Sequence, residues 1–299
     1  MKSHIIRPTE VDKKKWDDLL KQDRKADVFL FSHWLDIVFP TWELIVNESF
    51  TAAIPVFRKK IGKYYSFDLP NFIQALSIIG EDINDAIAKQ VVELLGTTAF
   101  VCVPYITSLP ASKNISNTTR RHQILELTPE VRFPTKVWGR NIRKAEAYQA
   151  ESILDVPVDD FLLELKKEMK AKGNPYRAKD FLLLKELIQS SIREGYGVIK
   201  GVKDKDSNWA CGQFYIYHSS GMYLVNCFTS GVGREHSILH YLLYCEIEML
   251  SKGKEYFKIH FGGSNIQAIA DFNKNFGATD EYYQLYQHNR LPWYLKWIK

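Results

Sequence analysis

The chain states one pattern twice. Ile6 and the pair Val11–Asp12 return as Ile153 and Val158–Asp159, each time opening a helical run, KKKWDDLLKQ and then DFLLELKKEM. Farther on, ESFTAAIPVFRKKIGKYYSF returns in outline as SNWACGQFYIYHSSGMYLVN, with Ala52 against Ala210, Phe57 against Tyr215 and Tyr65 against Tyr223, all at one interval. Each copy then passes through a loop into an amphipathic helix and a short apolar strand, AFVCV in the first and YFKIHF in the second. The identities are few, but their shared order predicts two copies of one mixed α/β unit, each about half the chain. The stretch Leu127–Lys136, which holds Pro129 and Pro134, places the division between residues 1–133 and 134–299.

Bulk properties permit two ordinary domains. The 299 residues are 45% hydrophobic and 25% charged, with no low-complexity tract, enough for a core in each half. No apolar run approaches the roughly 20 residues that span a bilayer, so stable membrane insertion is not expected. The start, MKSHIIRPTEVDKKKW, lacks the apolar centre of a signal peptide, and the expected location is cytoplasmic. Cys102, Cys211, Cys227 and Cys245 are scattered without metal-ligand spacing and read as reduced residues, mostly of the core. His236 and His240 stand one helical turn apart, but no third ligand joins them, so no metal is expected.

Local patterns fill in the order. FSHWLDIVF reads as a short helix, WELIV, TAAIPVF and KYYSFDL as antiparallel strands, with turns at Asn47–Ser49 and Lys59–Gly62. NDAIAKQVVELLG reads as a helix ended by Gly96, LPASKNISNTTRRHQ as loop, and ILEL as a strand. The second copy reads as two helices, three strands, the helix SILHYLLYCEIEMLSKG, strand YFKIHF, helix NIQAIADFNKNFGA and a closing hairpin through YYQLYQ.

Three places carry candidate chemistry. In VWGRNIRKAEAYQA, helical spacing sets Arg140 beside Arg143 and Lys144, a like-charge cluster that either Glu146 or a phosphate-bearing ligand would answer. In TSGVGREHSILHYLL, a glycine-containing turn feeds a helix that Ser237 is placed to cap, a geometry suited to pyrophosphate; Arg234 follows Gly231 and Gly233, and Glu235 opposes an anion. In KIHFGGSN, His260 shares the more polar strand face with Lys258 and Gly262, and Asn265 follows at the strand's end. An imidazole of ordinary pKa can deprotonate an ammonium, which makes His260 a candidate base. Tyr223, Asn226 and Tyr176 are candidate pocket residues. No Walker, dinucleotide or G-x-S-x-G motif is present, and nothing points to DNA.

Strand meander, helix, strand, helix, strand is the order of a GNAT-type N-acyltransferase domain, and the chain resembles that α/β fold in tandem. The helix W-x-R-N-I-R-K-A-E and the segment DFNKNFGA resemble the Fem-type aminoacyltransferase branch. Arg140, Arg143, Lys144 and Ala145 match its basic segment. Lys274, Phe276, Gly277 and Ala278 match its second, with Asn273 in place of an aromatic. WDDLL, SHWLD, IPVFRKK, HFGGS and RLPW extend the likeness toward uncharacterised, Bacteroidetes-like members. The resemblance implies transfer of an acyl or aminoacyl group to an amine, without metal. Acyl-CoA or aminoacyl-tRNA would be the donor, which makes tRNA a further partner, and a cell-wall precursor would be a possible acceptor. It also implies that Lys274 stabilises the oxyanion. Two departures stand against this: His260 occupies a position where relatives carry a carboxylate, and Ile142–Val156 is too short for the helical hairpin of some tRNA-dependent members. A GNAT-shaped binding protein with a degenerate donor site is the alternative. The oligomeric state is not encoded in these patterns.

Overall fold

The computed structural model describes residues 3–23, 26–80, 85–106, 109–110, 115–127, 135–148, 153–173, 176–218, 221–252, 257–263 and 265–298. The expected boundary at 133/134 lies at the edge of a segment outside the described residues. The chain forms two compact units, Met1–Arg120 with Tyr282–Lys299, and Arg121–Glu281.

The first unit begins with β1 (Ser3–Ile6), α1 (Lys13–Gln22), α2 (Ser32–Val38), β2 (Glu43–Asn47) and β3 (Ala52–Val56). Asp12 caps α1 by accepting from the Lys15 N–H at 3.0 Å, and the helix turns Trp16, Leu19 and Leu20 inward. There follow β4 (Arg58–Ile61), β5 (Tyr64–Asp68), β6 (Ile79–Gly80), α3 (Asp85–Thr97) and β7 (Phe100–Tyr105). An antiparallel sheet runs β1-β2-β3-β6, and β4 pairs with β5, which lies parallel to β7. The expected turn at Lys59–Gly62 is strand for most of its length. Lys59 and Lys60 pair through their backbone while their side chains face out, and the turn falls at Gly62, whose φ of 59° is open to glycine. Helix α3 runs one residue past Gly96, which only weakens a helix when its φ stays negative.

The chain enters and leaves the second unit inside two strands, β8 (Ser116–Leu127) and, at the far end, β14 (Thr279–Asn289). Between them lie α4 (Thr135–Ala147), β9 (Leu154–Asp155), α5 (Val158–Ala171), α6 (Ala178–Arg193), β10 (Gly197–Lys203), β11 (Trp209–His218), β12 (Gly221–Thr229), α7 (Gly231–Glu235), α8 (Ile238–Ser251), β13 (Phe257–Gly263) and α9 (Gln267–Lys274). The sheet of this unit runs β8-β13-β12-β11-β10-β9 and is antiparallel except for the β12–β13 pair. Its main core joins Leu125, Tyr215, Met222, Leu243, Ile259 and Phe276.

Two sequence expectations change here. Ser116–Gln123, read as loop, is the first two thirds of β8, because a strand needs backbone partners and tolerates polar side chains on exposed faces. The expected hairpin through YYQLYQ is one strand, β14, whose second half pairs antiparallel with β7 from Gln284↔Tyr105 to Asn289↔Phe100. Both units carry a parallel strand pair joined through a helix, β5–α3–β7 and β12–α8–β13, the element-level form of the repeat.

Candidate functional site

The second unit opens where β12 and β13 part. They pair in parallel over Gly221↔Lys258, Met222↔Ile259 and Tyr223↔His260, then β12 continues to Thr229 along β11 while β13 continues to Gly263 along β8. A bulge in β12 shifts the register with β11 between Tyr215↔Leu224 and Phe214↔Asn226 and bends the strand away. Buried Gln213 serves this bulge, its Nε2 donating to the Asn226 carbonyl at 3.0 Å and to the Phe214 carbonyl at 3.3 Å. In the first unit the corresponding gap is filled: Leu76 bridges to Tyr105 beyond the end of β5.

Four expected residues form two pairs along this stretch of β12. Tyr223 and His260 stack face to face, ring centres 4.3 Å apart and planes 8° apart. Three residues on, Asn226 donates through Nδ2 to the Tyr176 hydroxyl at 3.2 Å. Its Oδ1 is buried with no hydrogen-bond partner in the described structure. An unmet buried acceptor costs about 1–3 kcal/mol, a cost that a hydrogen-bond donor brought to Asn226 would offset. Burial, then the charges of His122 and Lys258, pushes the His260 pKa down to about 3. The ring is therefore neutral at physiological pH and a weaker base than its ordinary value promises.

A second group surrounds the loop after β12. Ser230 caps α7, its Oγ accepting from the Gly233 N–H at 3.0 Å, and a Cβ on Gly233 would strike the Ala210 carbonyl oxygen. Arg234 donates to the Thr229 carbonyl at 2.6 Å and to Glu168 at 3.0 Å. Burial raises the Glu168 pKa, but hydrogen bonds from Lys172 and Arg234 outweigh it and hold the carboxyl below its usual range. Ser237 stands at the α8 N-cap with φ 58° and makes no capping bond, contrary to expectation, because the left-handed backbone takes its Oγ out of the capping position. Helix α4 packs on α8 through Ile142 and Ala145, and Tyr148 stacks on His236 at 4.0 Å. Arg140, Arg143 and Lys144 are exposed, and Lys144 lies one turn before Tyr148 on the same stripe.

The third group lies between β8 and α9. Lys274 sits 3.2 Å from Asp280, which also accepts from Gln123 at 2.7 Å and pairs with Arg121 at 3.4 Å. The Gln123 hydrogen bond first, then Lys274 and Arg121, hold the Asp280 carboxyl below its usual range. Asn265 is spent on the Arg121 backbone, accepting from its N–H at 3.0 Å and donating to its carbonyl at 3.3 Å. Asn273, where the resembled pattern has an aromatic, is buried and donates to Gln123 at 2.9 Å, so the change completes a polar network.

Sequence reasoning missed Gln213, Glu168, Arg121, Gln123 and Asp280. Gln213 carried a faint signal as the one strongly polar residue within ACGQFYIY; the others depend on partners far along the chain. His236 and His240 do not converge. His240 packs at 4.5 Å from the Phe272 ring, and burial pushes its pKa down to about 4. No group of three metal-ligating side chains occurs among the described residues, and no described helix is long and apolar enough to cross a membrane.

No family model and no curated protein matches the sequence. Solved structures do. The crystal structure of FemX superposes with a TM-score of 0.63 at 10% identity, covering 95% of this chain and 97% of that one. The C-terminal domain of a putative lysylphosphatidylglycerol synthetase from Agrobacterium fabrum gives 0.58 at 11% identity, covering 93% and 92%. A tandem GNAT protein from the clavulanic acid biosynthesis pathway gives 0.54 at 9% identity, covering 97% and 99%. The fold is thus that of the tandem GNAT proteins, a mixed α/β acyltransferase-like architecture.

Proposed function

We propose that the protein transfers an acyl or aminoacyl group to an amine acceptor, with the reaction in the β12–β13 splay of the second unit. The observation that carries this reading is the unpartnered Asn226 Oδ1 at the β12 bulge, three residues beyond Tyr223 of the Tyr223–His260 stack, on a fold that a GCN5-related N-acetyltransferase also has. The amine donates one N–H to Asn226, its nitrogen attacks the donor carbonyl carbon, and the bond from that carbon to the donor's sulfur or oxygen breaks. The proton the nitrogen sheds passes to that departing atom, which leaves as a free thiol or hydroxyl. With its pKa near 3, His260 orients Tyr223, and the amine has to arrive neutral or lose its proton to water. The resembled pattern gives the oxyanion to Lys274, which lies apart from the splay between β8 and α9. Asp280 engages one of its three donors and the side chain is 46% exposed, so the assignment rests on the resemblance and Lys274→Ala tests it. Arg140, Arg143 and Lys144, exposed on α4 where that helix packs against α8, hold the phosphates of the donor or of a cell-wall precursor.

A second reading, a binding protein without catalysis, is favoured by one observation: the loop satisfies itself, with Ser230 bonded to Gly233 and Arg234 committed to Glu168. Thermal shifts with acetyl-CoA, longer acyl-CoAs and UDP-linked precursors separate the two. A bound ligand at a hundredfold excess over Kd adds about 2.7 kcal/mol of stability. Arg143→Ala should weaken that ligand about tenfold, and more at low salt. A response to none of the panel favours the binding protein.

A further inference from the structure

We infer that one end of the first unit's sheet is a docking surface for an anionic membrane. The backbone brings three separated segments to this end. The Ala99 N–H donates to the Tyr65 carbonyl at 3.0 Å, and the Arg290 N–H donates to the Ala99 carbonyl at 2.7 Å, so the starts of β5 and β7 and the finish of β14 lie side by side. The β4–β5 turn at Gly62–Lys63 belongs to the same end, two residues from Tyr65, and so does the short helix Trp293–Ile298, which begins three residues after Arg290.

The surface so assembled is aromatic and basic. Trp293 is 85% exposed, Trp297 82%, Tyr294 51% and Tyr65 47%. Two tryptophans this open are unusual, since a large ring in water gains nothing from its apolar face. The cations around them are Lys59, Lys60, Lys63 and Lys296, with Arg58 committed to Glu43 and Arg290 donating to the Gly96 carbonyl at 2.8 Å. Residues 58–66, 94–100 and 286–298 contain no carboxylate. Lys60 sits directly across from Tyr65 in the strand pair, and the Lys63 ammonium lies 5.5 Å from the centre of the Tyr64 ring. Indole and phenol rings settle at the headgroup level of a bilayer, and lysines beside them meet lipid phosphates; a soluble acidic partner would explain the lysines but not the bare indoles.

The test is co-sedimentation of the full chain with vesicles of phosphatidylcholine alone and of phosphatidylglycerol and phosphatidylcholine mixed one to three, at low and high salt. Binding to the mixed vesicles is expected, weaker at high salt, with little binding to pure phosphatidylcholine. The double variant Trp293→Ala/Trp297→Ala should bind at least tenfold more weakly, and Lys60→Glu/Lys63→Glu should lose most of the preference for phosphatidylglycerol. These side chains are exposed, so thermal melts of both variants should match the parent. Absence of vesicle binding, or equal binding by the tryptophan variant, overturns the inference. Concentration-dependent self-association that the tryptophan variant abolishes, without vesicle binding, assigns the surface to a second copy and overturns it too.

Discussion

His260 and His240 lose proton affinity on folding, His260 to about 3 and His240 to about 4, from an ordinary value of 6.5. Between those values and 6.5 the unfolded chain takes up protons that the folded one refuses. The contribution of these two rings is therefore complete above pH 6.5 and falls on acidification, by at most about 1.4 kcal/mol per pH unit for each ring and less where ring edges reach water. Asp27, pushed up to about 7 by burial, works in the opposite sense. Urea unfolding of the parent and of His260→Asn at pH 7 and pH 5 isolates the His260 share. Between the two values the parent should lose more stability, or gain less, than the variant, and equal changes in both would place no titration at His260. If transfer occurs, its rate should lack an inflection near 6.5. At Asn226 the expectation is a trade of function against stability. Asn226→Leu removes an unmet acceptor at the expense of one hydrogen bond to Tyr176, so the melting temperature should hold within a few degrees while the acceptor's KM rises severalfold or more. A large drop in melting temperature would make Asn226 a structural residue. These side chains were named from sequence because polar types on an apolar strand stand out. The direction of the His260 shift was not visible there, since burial depends on neighbours such as His122 that are distant in the chain.

At the scale of elements, the opening between β12 and β13 depends on the bulge and on how the loop after β12 seats. Gly233 packs against the Ala210 carbonyl, whereas Gly231 has nothing near the place a Cβ would occupy. Gly233→Ala should therefore destabilise by about 1–3 kcal/mol, and Gly231→Ala should be nearly neutral, read as paired melting temperatures. Equal effects at both would mean that α7 is not held against β11. The glycines of this loop suggested an anion turn from sequence alone. One instead serves close packing, and Arg234, expected to be available to ligand, is bonded to Glu168 from a helix more than sixty residues earlier.

At the scale of the whole molecule, the first unit is discontinuous, taking its last strand from Tyr282–Lys299. Beyond the six-residue ladder with β7, β14 supplies the Tyr286 hydroxyl, which accepts from the Leu109 N–H at 3.1 Å, and the ring that meets Tyr105 edge-on at 5.7 Å. Removing residues 282–299 should therefore unfold the first unit, seen as loss of the near-ultraviolet signal of Trp16, Trp34 and Trp42. Retention of that signal would show that β7 tolerates an open edge.

The amino-acid order by itself determined the class of fold, because the repeat, the strand meanders and the amphipathic helices are local patterns whose spacing survives substitution. It also singled out the basic stripe of α4 and the polar residues of β12 and β13. The tertiary structure alone decided where the last strand goes, which gap between parallel strands stays open, and which cations are already answered. Those outcomes turn on backbone pairing and on charges brought together from opposite ends of the chain, and neither leaves a mark on local periodicity.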